Sequence, residues 1–495
     1  MYKETLSKDL GKFIQIESAA SETARSFVKF GIAIVFLAIV WVVASSYTAG
    51  IDNPTYIIAA GVIGGYMALN IGANDVANNV GPAVGAKSLT MFGAILIAIV
   101  CEASGALIAG GDVVTTISKG IIDPSKLEDA SLFVPAMMSA LLAAALWINI
   151  ATWVGAPVST THSVVGGVMG AGIAAAGFGV VNWPVMAKIA ASWVISPVMG
   201  GVIAALFLAF VKSKIIYQDD KIAGARRWVP VLVALMAGVF SAYLCMKGLK
   251  RIWVPDPLII SGIGIAMFAL TYAVMRPLVA RQSQGMENRN KSIRELFHIP
   301  LIFAAALLSF AHGANDVANA VGPLAAIVDS ASTGQISGGK VGIPNWVLFV
   351  GAVGISVGLM LFGPKLIKTV GAQITRLNPM RAYCVALSAA ITVIIATTLG
   401  LPVSSTHIAV GAIFGVGLFR EWKTARQTHI NHGKFTPAVK PVDEPQGLVR
   451  RDKAMYRKLV RRQHLMTIAA AWVITVPLSA LLAAALLFLM RTYIL

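Results

Sequence analysis

Residues 72–82 read G-A-N-D-V-A-N-N-V-G-P, and residues 313–323 read G-A-N-D-V-A-N-A-V-G-P. Ten of the eleven positions are identical, an agreement that chance does not produce. A second pair follows at a similar distance, with A-P-V-S-T-T-H at residues 156–162 and L-P-V-S-S-T-H at residues 401–407. The chain is therefore a duplicated unit, and each copy carries a G-A-N-D motif followed by a P-V-S motif.

The composition places these units in a membrane. Apolar residues make up 57% of the chain, charged residues only 13%, and the mean hydropathy is +0.77. Crossing a bilayer as a helix takes about 20 apolar residues. Ten stretches of this kind lie at residues 30–47, 95–111, 132–153, 193–211, 229–246, 258–279, 299–311, 346–362, 383–399 and 466–490. With the two G-A-N-D regions, we expect an all-α polytopic membrane protein with about twelve membrane elements.

The net charge of +18 is concentrated in connections between the apolar stretches. Residues 212–227 and 276–294 each hold five Lys or Arg, and residues 420–462 hold twelve against four acids. Basic connections lie on the cytoplasmic side of a membrane, where anionic lipid headgroups are their expected partners. This placement argues against nucleic acid as a partner. It predicts a multi-pass protein of the cell (inner) membrane with its N-terminus in the cytoplasm and its C-terminus outside.

The same loops indicate that the repeats have opposite orientations. The connection before the first G-A-N-D motif, residues 48–55, has no Lys or Arg and is expected outside, whereas the connection before the second, residues 276–294, is basic and expected inside. Lys247, Lys250 and Arg251 do not fit, because they fall on the predicted outer side. Inverted repeats with broken helices or re-entrant hairpins at the polar motifs are typical of secondary transporters.

The predicted organisation has four parts. Residues 1–54 form a cytoplasmic segment and an extra first helix, and residues 55–212 form repeat 1. Residues 213–296 are a linker with two helices and basic cytoplasmic loops. Residues 297–495 form repeat 2, with a basic cytoplasmic insertion at residues 421–463.

The two G-A-N-D motifs predict a cation site. A charged side chain at the bilayer centre costs about 3 kcal/mol or more, so Asp75 and Asp316 are expected to be functional. The alternative is that each caps a helix or joins two helices by a hydrogen bond. Amide side chains three or four residues apart share a helix face, and hard cations such as sodium prefer oxygen ligands. The predicted sodium ligands are Asn74, Asp75, Asn315 and Asp316.

The two P-V-S motifs predict an anion site. Proline favours the first turn of a helix, where free backbone N–H groups and adjacent hydroxyl groups can bind an oxyanion. Plain helix capping by Ser or Thr is the alternative. The predicted substrate residues are Asp75, Asn78, Ser159, Thr160, Thr161, Asp316, Asn319, Ser404, Ser405 and Thr406.

Three further residues have accessory roles in this interpretation. His162 and His407 end the P-V-S motifs and are expected to pack, with proton coupling as the alternative; no set of neighbouring ligands suggests a transition metal. Glu102 is a candidate for ion coupling or for a paired structural charge. Nucleotide-binding and hydrolase motifs are absent from the sequence, so we expect neither an enzyme nor a cofactor.

The doubled motifs are similar to the signature sequences of the inorganic phosphate transporter (PiT) family. The resemblance covers most of the chain from about residue 55 to 420 and again from residue 466. It implies phosphate uptake driven by a sodium or proton gradient, and the G-A-N-D form resembles the sodium-coupled branch. It also implies that the motif Asn, Asp, Ser and Thr residues form the phosphate and cation sites, and it makes a homodimer plausible.

Two other functions stay open at this point. A sulfate or other oxyanion permease would share the same architecture, and sulfate competition would distinguish it. An anion channel would carry a flux that needs no second ion. An ionised Asp can accept the proton that phosphate retains at neutral pH, whereas sulfate has none to donate, so the aspartates favour phosphate.

Overall fold

The computed structural model describes residues 27–48, 54–127, 130–154, 158–248, 255–333, 342–373, 377–432 and 462–493. These residues are almost entirely helical, with one isolated β-bridge between Ile122 and Val181. The predicted cytoplasmic N-terminal segment and most of the predicted basic insertion lie outside the described residues.

The helices follow the predicted organisation. An extra helix, α1, spans Phe27–Tyr47. The first repeat contains α2 Pro54–Asn74, α3 Ala77–Gly85, α4 Met91–Ala109, α5 Gly111–Thr115, α6 Phe133–Val154, α7 Thr160–Ala176 and α8 Trp183–Val211. The linker contains α9 Lys221–Gly248, α10 Pro257–Gln282 and α11 Asn290–Leu296. The second repeat contains α12 His298–Thr333, α13 Asn345–Gln373, α14 Pro379–Thr398, α15 Ser405–His432 and α16 Arg462–Tyr493.

Within the described residues, eleven helices are long and apolar enough to cross a membrane. The protein is therefore a multi-pass membrane protein. The expected count of about twelve differs because it separated residues 299–311 from the second G-A-N-D motif. In the structure, α12 runs through both without a break. The first G-A-N-D motif does interrupt its helix, because α2 ends at Asn74 and α3 begins at Ala77.

Helices of one repeat pack against helices of the other in an exchanged manner. The first motif helix, α2, packs on α13, and the second motif helix, α12, packs on α4. The motif glycines permit this contact: a Cβ at Gly72 would lie 1.9 Å from the carbonyl oxygen of Ile355, and a Cβ at Gly313 would lie 2.1 Å from that of Glu102. Ile355 and Glu102 occupy equivalent positions in the two repeats, so the same crossing is built twice.

A second exchanged contact holds the helices that follow the P-V-S motifs. The α7 helix packs on α16, and the α15 helix packs on α8. A Cβ at Gly166 would lie 2.6 Å from the Val476 carbonyl oxygen, and one at Gly411 would lie 2.2 Å from the Pro197 carbonyl oxygen. Each glycine stands four residues after its motif histidine. The repeats are thus intertwined, and the second motif of each repeat is packed against the other repeat.

The three basic regions lie together on one face of the molecule. Arg226 Nε donates to Ser283 Oγ at 2.7 Å, which joins the first two regions. Arg420 and Lys423, in the third region, act electrostatically on Lys212 in the first. This grouping agrees with a shared side of the membrane, and the identity of that side stays a prediction.

The charge that did not fit the predicted topology has a partner. Lys247 Nζ lies 2.5 Å from Asp112 Oδ2. A paired lysine carries less topological weight than a free one, since its charge is offset locally. Lys250 and Arg251 lie outside the described residues.

Candidate functional site

The four motifs converge on one buried polar cluster between the repeats. Its predicted substrate and cation residues are each exposed by 5% or less. They comprise Asn74, Asp75, Asn78, Ser159, Thr160, Thr161, Asn315, Asp316, Asn319, Ser404, Ser405 and Thr406. A buried polar group needs a hydrogen-bond partner or an ion, so the contacts of this cluster indicate what it can bind.

Asp75 joins the P-V-S motifs of both repeats. It lies at the interruption between α2 and α3, where the backbone turns. Thr160 Oγ1 donates to Asp75 Oδ2 at 2.6 Å, and Thr406 Oγ1 donates to Asp75 Oδ1 at 3.3 Å. Asn78 Nδ2 in turn donates to Thr406 Oγ1 at 2.8 Å. The carboxylate of the first repeat is thus bound by a hydroxyl group from each repeat.

Asp316 occupies the equivalent position in the unbroken helix α12. Ser405 Oγ donates to Asp316 Oδ2 at 3.3 Å. Asn319 Nδ2 reaches across to the first repeat, 3.3 Å from Thr160 Oγ1 and 3.2 Å from Thr161 Oγ1. The Asn78 and Asn319 side chains therefore make reciprocal contacts between the repeats.

Two oxygen atoms in this cluster lack hydrogen-bond donors. Asp316 Oδ1 and Asn319 Oδ1 are buried and have no hydrogen-bond partner within the described residues. Leaving a buried acceptor unpaired costs about 1 to 3 kcal/mol, and more for a charged group. A carboxylate oxygen and an amide oxygen of this kind are suitable ligands for a hard cation.

Asn74 and Asn315 are held by two threonines that the sequence analysis did not identify. Asn74 Nδ2 donates to Thr152 Oγ1 at 2.7 Å, and Asn315 Nδ2 donates to Thr397 Oγ1 at 2.9 Å. Both threonines stand five residues before the proline of the following P-V-S motif. That equal spacing was the available signal, although the local sequences around the two threonines differ. The contacts direct the two amide nitrogens away, toward the preceding helices.

The P-V-S motifs form the starts of two helices whose N-termini meet. Ser159 is the N-cap of α7, and its Oγ accepts from His162 N at 3.2 Å. Ser404 Oγ likewise accepts from His407 N at 3.3 Å at the start of α15. Thr161 Oγ1 donates to the Val403 carbonyl oxygen at 3.0 Å, which joins the two helix starts. The capping alternative is thus observed for the two serines, and their role in substrate binding stays a prediction.

The accessory histidines lie behind these helix starts. The ring centroids of His162 and His407 are 4.6 Å apart, and His162 stacks 3.8 Å from Trp193. His162 Nδ1 lies 2.6 Å from Ser159 Oγ. These are packing and capping contacts, as expected from the sequence.

Glu102 is linked to Asp316 through a histidine that the sequence analysis missed. Its Oε1 accepts from Asn79 Nδ2 at 2.7 Å, and its Oε2 lies 2.7 Å from His312 Nδ1. The other ring nitrogen of His312 lies 2.8 Å from Asp316 Oδ2. Both Glu102 and His312 are fully buried. The sequence signal was available, because His312 directly precedes the second motif where the first repeat has Ile71.

The charge balance of the cluster is acidic. Three carboxylates, those of Asp75, Glu102 and Asp316, are buried near one histidine. None of the four motif segments contains a Lys or Arg. Ligand atoms of Asp75, His312 and Asp316 all lie within 4.8 Å of one another, close enough to surround one metal ion. An anion could bind here only with cations to offset the carboxylates.

A multi-pass helical protein with a buried polar cluster between two intertwined repeats is a membrane transporter. The cluster lies inside the membrane-spanning helices and contains paired acceptors and helix N-termini. These are the features of a transport site rather than of an enzyme.

Comparison with known proteins gives the family. A family model described as the phosphate transporter family matches residues 71–483. This match covers most of the chain, and the chain therefore belongs to that family. The family membership predicted from the motifs is confirmed.

Relatives and a solved structure are similar over most of their lengths. A provisionally named phosphate permease of Helicobacter pylori (strain J99) is 45% identical, with 95% of this chain and 96% of the relative covered. One from Pyrococcus abyssi (strain GE5 / Orsay) is 36% identical, with 76% and 92% covered. A solved structure titled "The sodium-dependent phosphate transporter" has a TM-score of 0.77 at 35% identity, covering 89% of this chain and 100% of that chain.

Proposed function

We propose that this protein is a symporter that imports inorganic phosphate with sodium ions by alternating access. The observation that carries the proposal is the joint position of two unpaired acceptor oxygens, two motif aspartates and two helix N-termini in one buried cluster. Phosphate transport is the activity of its family, and the similar solved structure is titled a sodium-dependent transporter.

The acidic side of the cluster is the proposed sodium site. Asp316 Oδ1 and Asn319 Oδ1 lack donors, and Asp75 stands close enough to share a cation with Asp316. Sodium bound there would stabilise both carboxylates. The motif amides of Asn74 and Asn315 stay proposed ligands through their oxygens, since their nitrogens are engaged with Thr152 and Thr397.

The helix N-termini are the proposed phosphate site. The starts of α7 and α15 each present backbone N–H groups without intrahelical acceptors, and the positive ends of both helix dipoles point to the same place. Thr160, Thr161, Ser405 and Thr406 add hydroxyl donors. The protonated oxygen of phosphate can donate to a motif aspartate. Sulfate has no such proton and would leave a buried carboxylate facing a second anion.

Coupling follows from the charges. Phosphate would be repelled by Asp75 and Asp316 unless cations bind first, since no Lys or Arg lies in the motifs. Each ligand then raises the affinity for the other, as thermodynamic linkage requires.

Alternating access is proposed from the repeat architecture. The charge pattern of the loops favours inverted repeats, and their exchanged packing puts the site where they meet. Transporters of this kind expose a midplane site to each side by moving one bundle against the other. The cell (inner) membrane, a cytoplasmic N-terminus and a homodimer belong to the same proposal.

Uptake of radiolabelled phosphate into proteoliposomes tests the proposal. One set receives an imposed sodium gradient, another an imposed proton gradient, and each is repeated with excess unlabelled sulfate. Sodium-driven accumulation that sulfate does not reduce is the expected result. Proton-driven accumulation would keep the substrate and change the coupling ion, and the Glu102–His312–Asp316 chain gives a specific reason to include that arm.

Two other results would redirect the assignment. Strong inhibition by sulfate would indicate a general oxyanion permease. Flux that needs neither gradient coupling nor a second ion would indicate a channel.

A further inference from the structure

An apolar groove with a volume of about 1080 Å³ opens between α8, α15 and α16. Its walls include Trp193, Val198 and Gly201 from α8, Phe419 from α15 and Val473 from α16. Val198 is 61% exposed and Val473 is 73% exposed. Such side chains in membrane-spanning helices face acyl chains, so the natural occupant of the groove is apolar and elongated.

One end of the groove carries aromatic rings and cations. Lys212 Nζ lies 5.3 Å from the ring centroid of Phe419, which lines the groove. Trp422 also lines the groove, with its ring 6.0 Å from Phe419. Lys423 Nζ lies 3.9 Å from the ring centroid of Tyr217. Tyr and Trp side chains concentrate at the headgroup level of a bilayer, so this end marks the membrane surface.

The cations at this end form a cluster from separate elements. Lys423, Arg420 and Arg381 all act electrostatically on Lys212. The cluster combines the C-terminal end of α8, the start of α14 and the middle of α15. One acid, Glu421, adjoins it in sequence, so positive charge remains in excess. Like charges held together favour a bound anion.

We propose that the groove is a binding site for one anionic phospholipid. The headgroup phosphate contacts Lys212 and Lys423, and an acyl chain lies along α8 and α15. The inner end of the groove reaches His162, whose ring contacts the N-cap residue of α7. The bound lipid would therefore touch the outer side of the buried cluster while remaining separate from the transported phosphate.

Charge complementarity favours this occupant over a second copy of the chain. In a two-fold symmetric interface a surface patch meets its own copy. Two copies packed face to face on this groove would bring two positive clusters together. A phospholipid supplies the opposite charge and the apolar chain at once.

Lipid binding can be measured directly on the full chain. The purified protein is reconstituted into phosphatidylcholine vesicles that contain either spin-labelled phosphatidylglycerol or spin-labelled phosphatidylcholine. The motionally restricted fraction of each label reports binding. The test variant is Lys212→Gln with Lys423→Gln, and the matched control is Lys188→Gln, an exposed lysine near the other end of α8. A second variant, Ala205→Trp, fills the groove.

We expect the wild-type protein and the Lys188→Gln control to prefer the anionic label. The preference should fall about fivefold for each lysine removed, and Ala205→Trp should release both labels. Equal binding of the two labels by the wild type would overturn the proposal, as would an unchanged preference in the double variant. Native mass spectrometry in which Ala205→Trp converts a dimer to a monomer without lipid loss would assign the groove to a second copy instead. All readouts are independent of phosphate transport.

Discussion

Two aspartates in the buried cluster have no basic residue among the motifs to balance them. Asp75 accepts from Thr160 and Thr406, contacts that an amide oxygen could also accept. Asn substitution therefore preserves shape and removes mainly charge. The charge is what attracts sodium in our proposal, and its loss should separate binding from folding.

Asp75→Asn and Asp316→Asn should each abolish coupled phosphate uptake while the protein stays in the membrane. Losing one charge-assisted contact should weaken cation binding about tenfold or more. Sodium-driven uptake in proteoliposomes, normalised to inserted protein, measures the effect. Asp123→Asn is the matched control, because Asp123 is exposed in a loop and contacts only its own turn. Normal uptake by both motif variants would show the assignment to be wrong.

The Glu102–His312 pair exists on one side of the molecule only. The equivalent positions in the exchanged contact are Ile355 and Ile71, and the position equivalent to Asn79 is Ala320. Nature thus shows that this crossing can be built from apolar residues. The pair is therefore not required for the crossing itself.

Replacing the pair by its apolar counterpart should separate stability from transport. Glu102→Ile alone should destabilise the protein by about 3 to 5 kcal/mol, because it leaves His312 buried without one partner. The triple variant Asn79→Ala, Glu102→Ile and His312→Ile should recover most of that stability but not sodium-driven uptake. Thermal unfolding in detergent and uptake assays measure the two quantities. Full uptake by the triple variant would mean that the pair is only structural.

At the level of helices, the exchanged crossings depend on glycine. A Cβ at Gly72 or Gly313 would lie 1.9 or 2.1 Å from a carbonyl oxygen of the partner helix. These are backbone atoms, so no side-chain rotation can relieve the overlap. The helices would have to separate along their length.

Gly72→Ala and Gly313→Ala should each lower the free energy of unfolding by about 1 to 3 kcal/mol, the usual cost of overpacking. Gly262→Ala is the matched control, since no atom lies within 4 Å of a Cβ there. That control should be neutral or slightly stabilising, because Ala favours the helix more than Gly does. Thermal unfolding in detergent distinguishes the two classes. If all three variants unfold alike, the close crossing has no energetic weight.

The sequence predicted the helices better than their interruptions. Hydropathy located the spans because burial in a bilayer leaves few alternatives to a helix. The two G-A-N-D motifs are nearly identical, yet one interrupts its helix at Asp75 and the other, around Asp316, does not. We have no local physical account of that difference. It shows that neighbouring helices, and not the motif alone, decide where the backbone turns.

At the level of the whole molecule, duplication was visible in the sequence but the exchange was not. The motif pairs predicted two repeats and a shared site, and the structure brings the named residues together. Pairing of α7 with α16 and of α15 with α8 depends on contacts between distant segments. The roles of Thr152, Thr397 and His312 depend on those contacts too. Hydropathy carries no information about which helix lies beside which.

The orientation of the repeats can be tested with single cysteines. Gly179 lies in the connection between α7 and α8, and Thr436 lies in the equivalent connection of the second repeat. Inverted repeats place these connections on opposite sides of the membrane. Gly179→Cys should react with a membrane-impermeant maleimide in intact cells, and Thr436→Cys should react only after permeabilisation. The background has Cys101, Cys245 and Cys384 replaced by Ala, and that background alone is the control.

Labelling of both positions from the same side would show parallel repeats. The exchanged packing would remain, since a two-fold axis along the membrane normal also produces it. Alternating access by inverted repeats would then lose its basis. Opposite labelling would instead place the two-fold axis in the membrane plane. Because the starts of α7 and α15 meet at Asp75, the two helices would then approach the cluster from opposite sides, which lets the same site open in either direction.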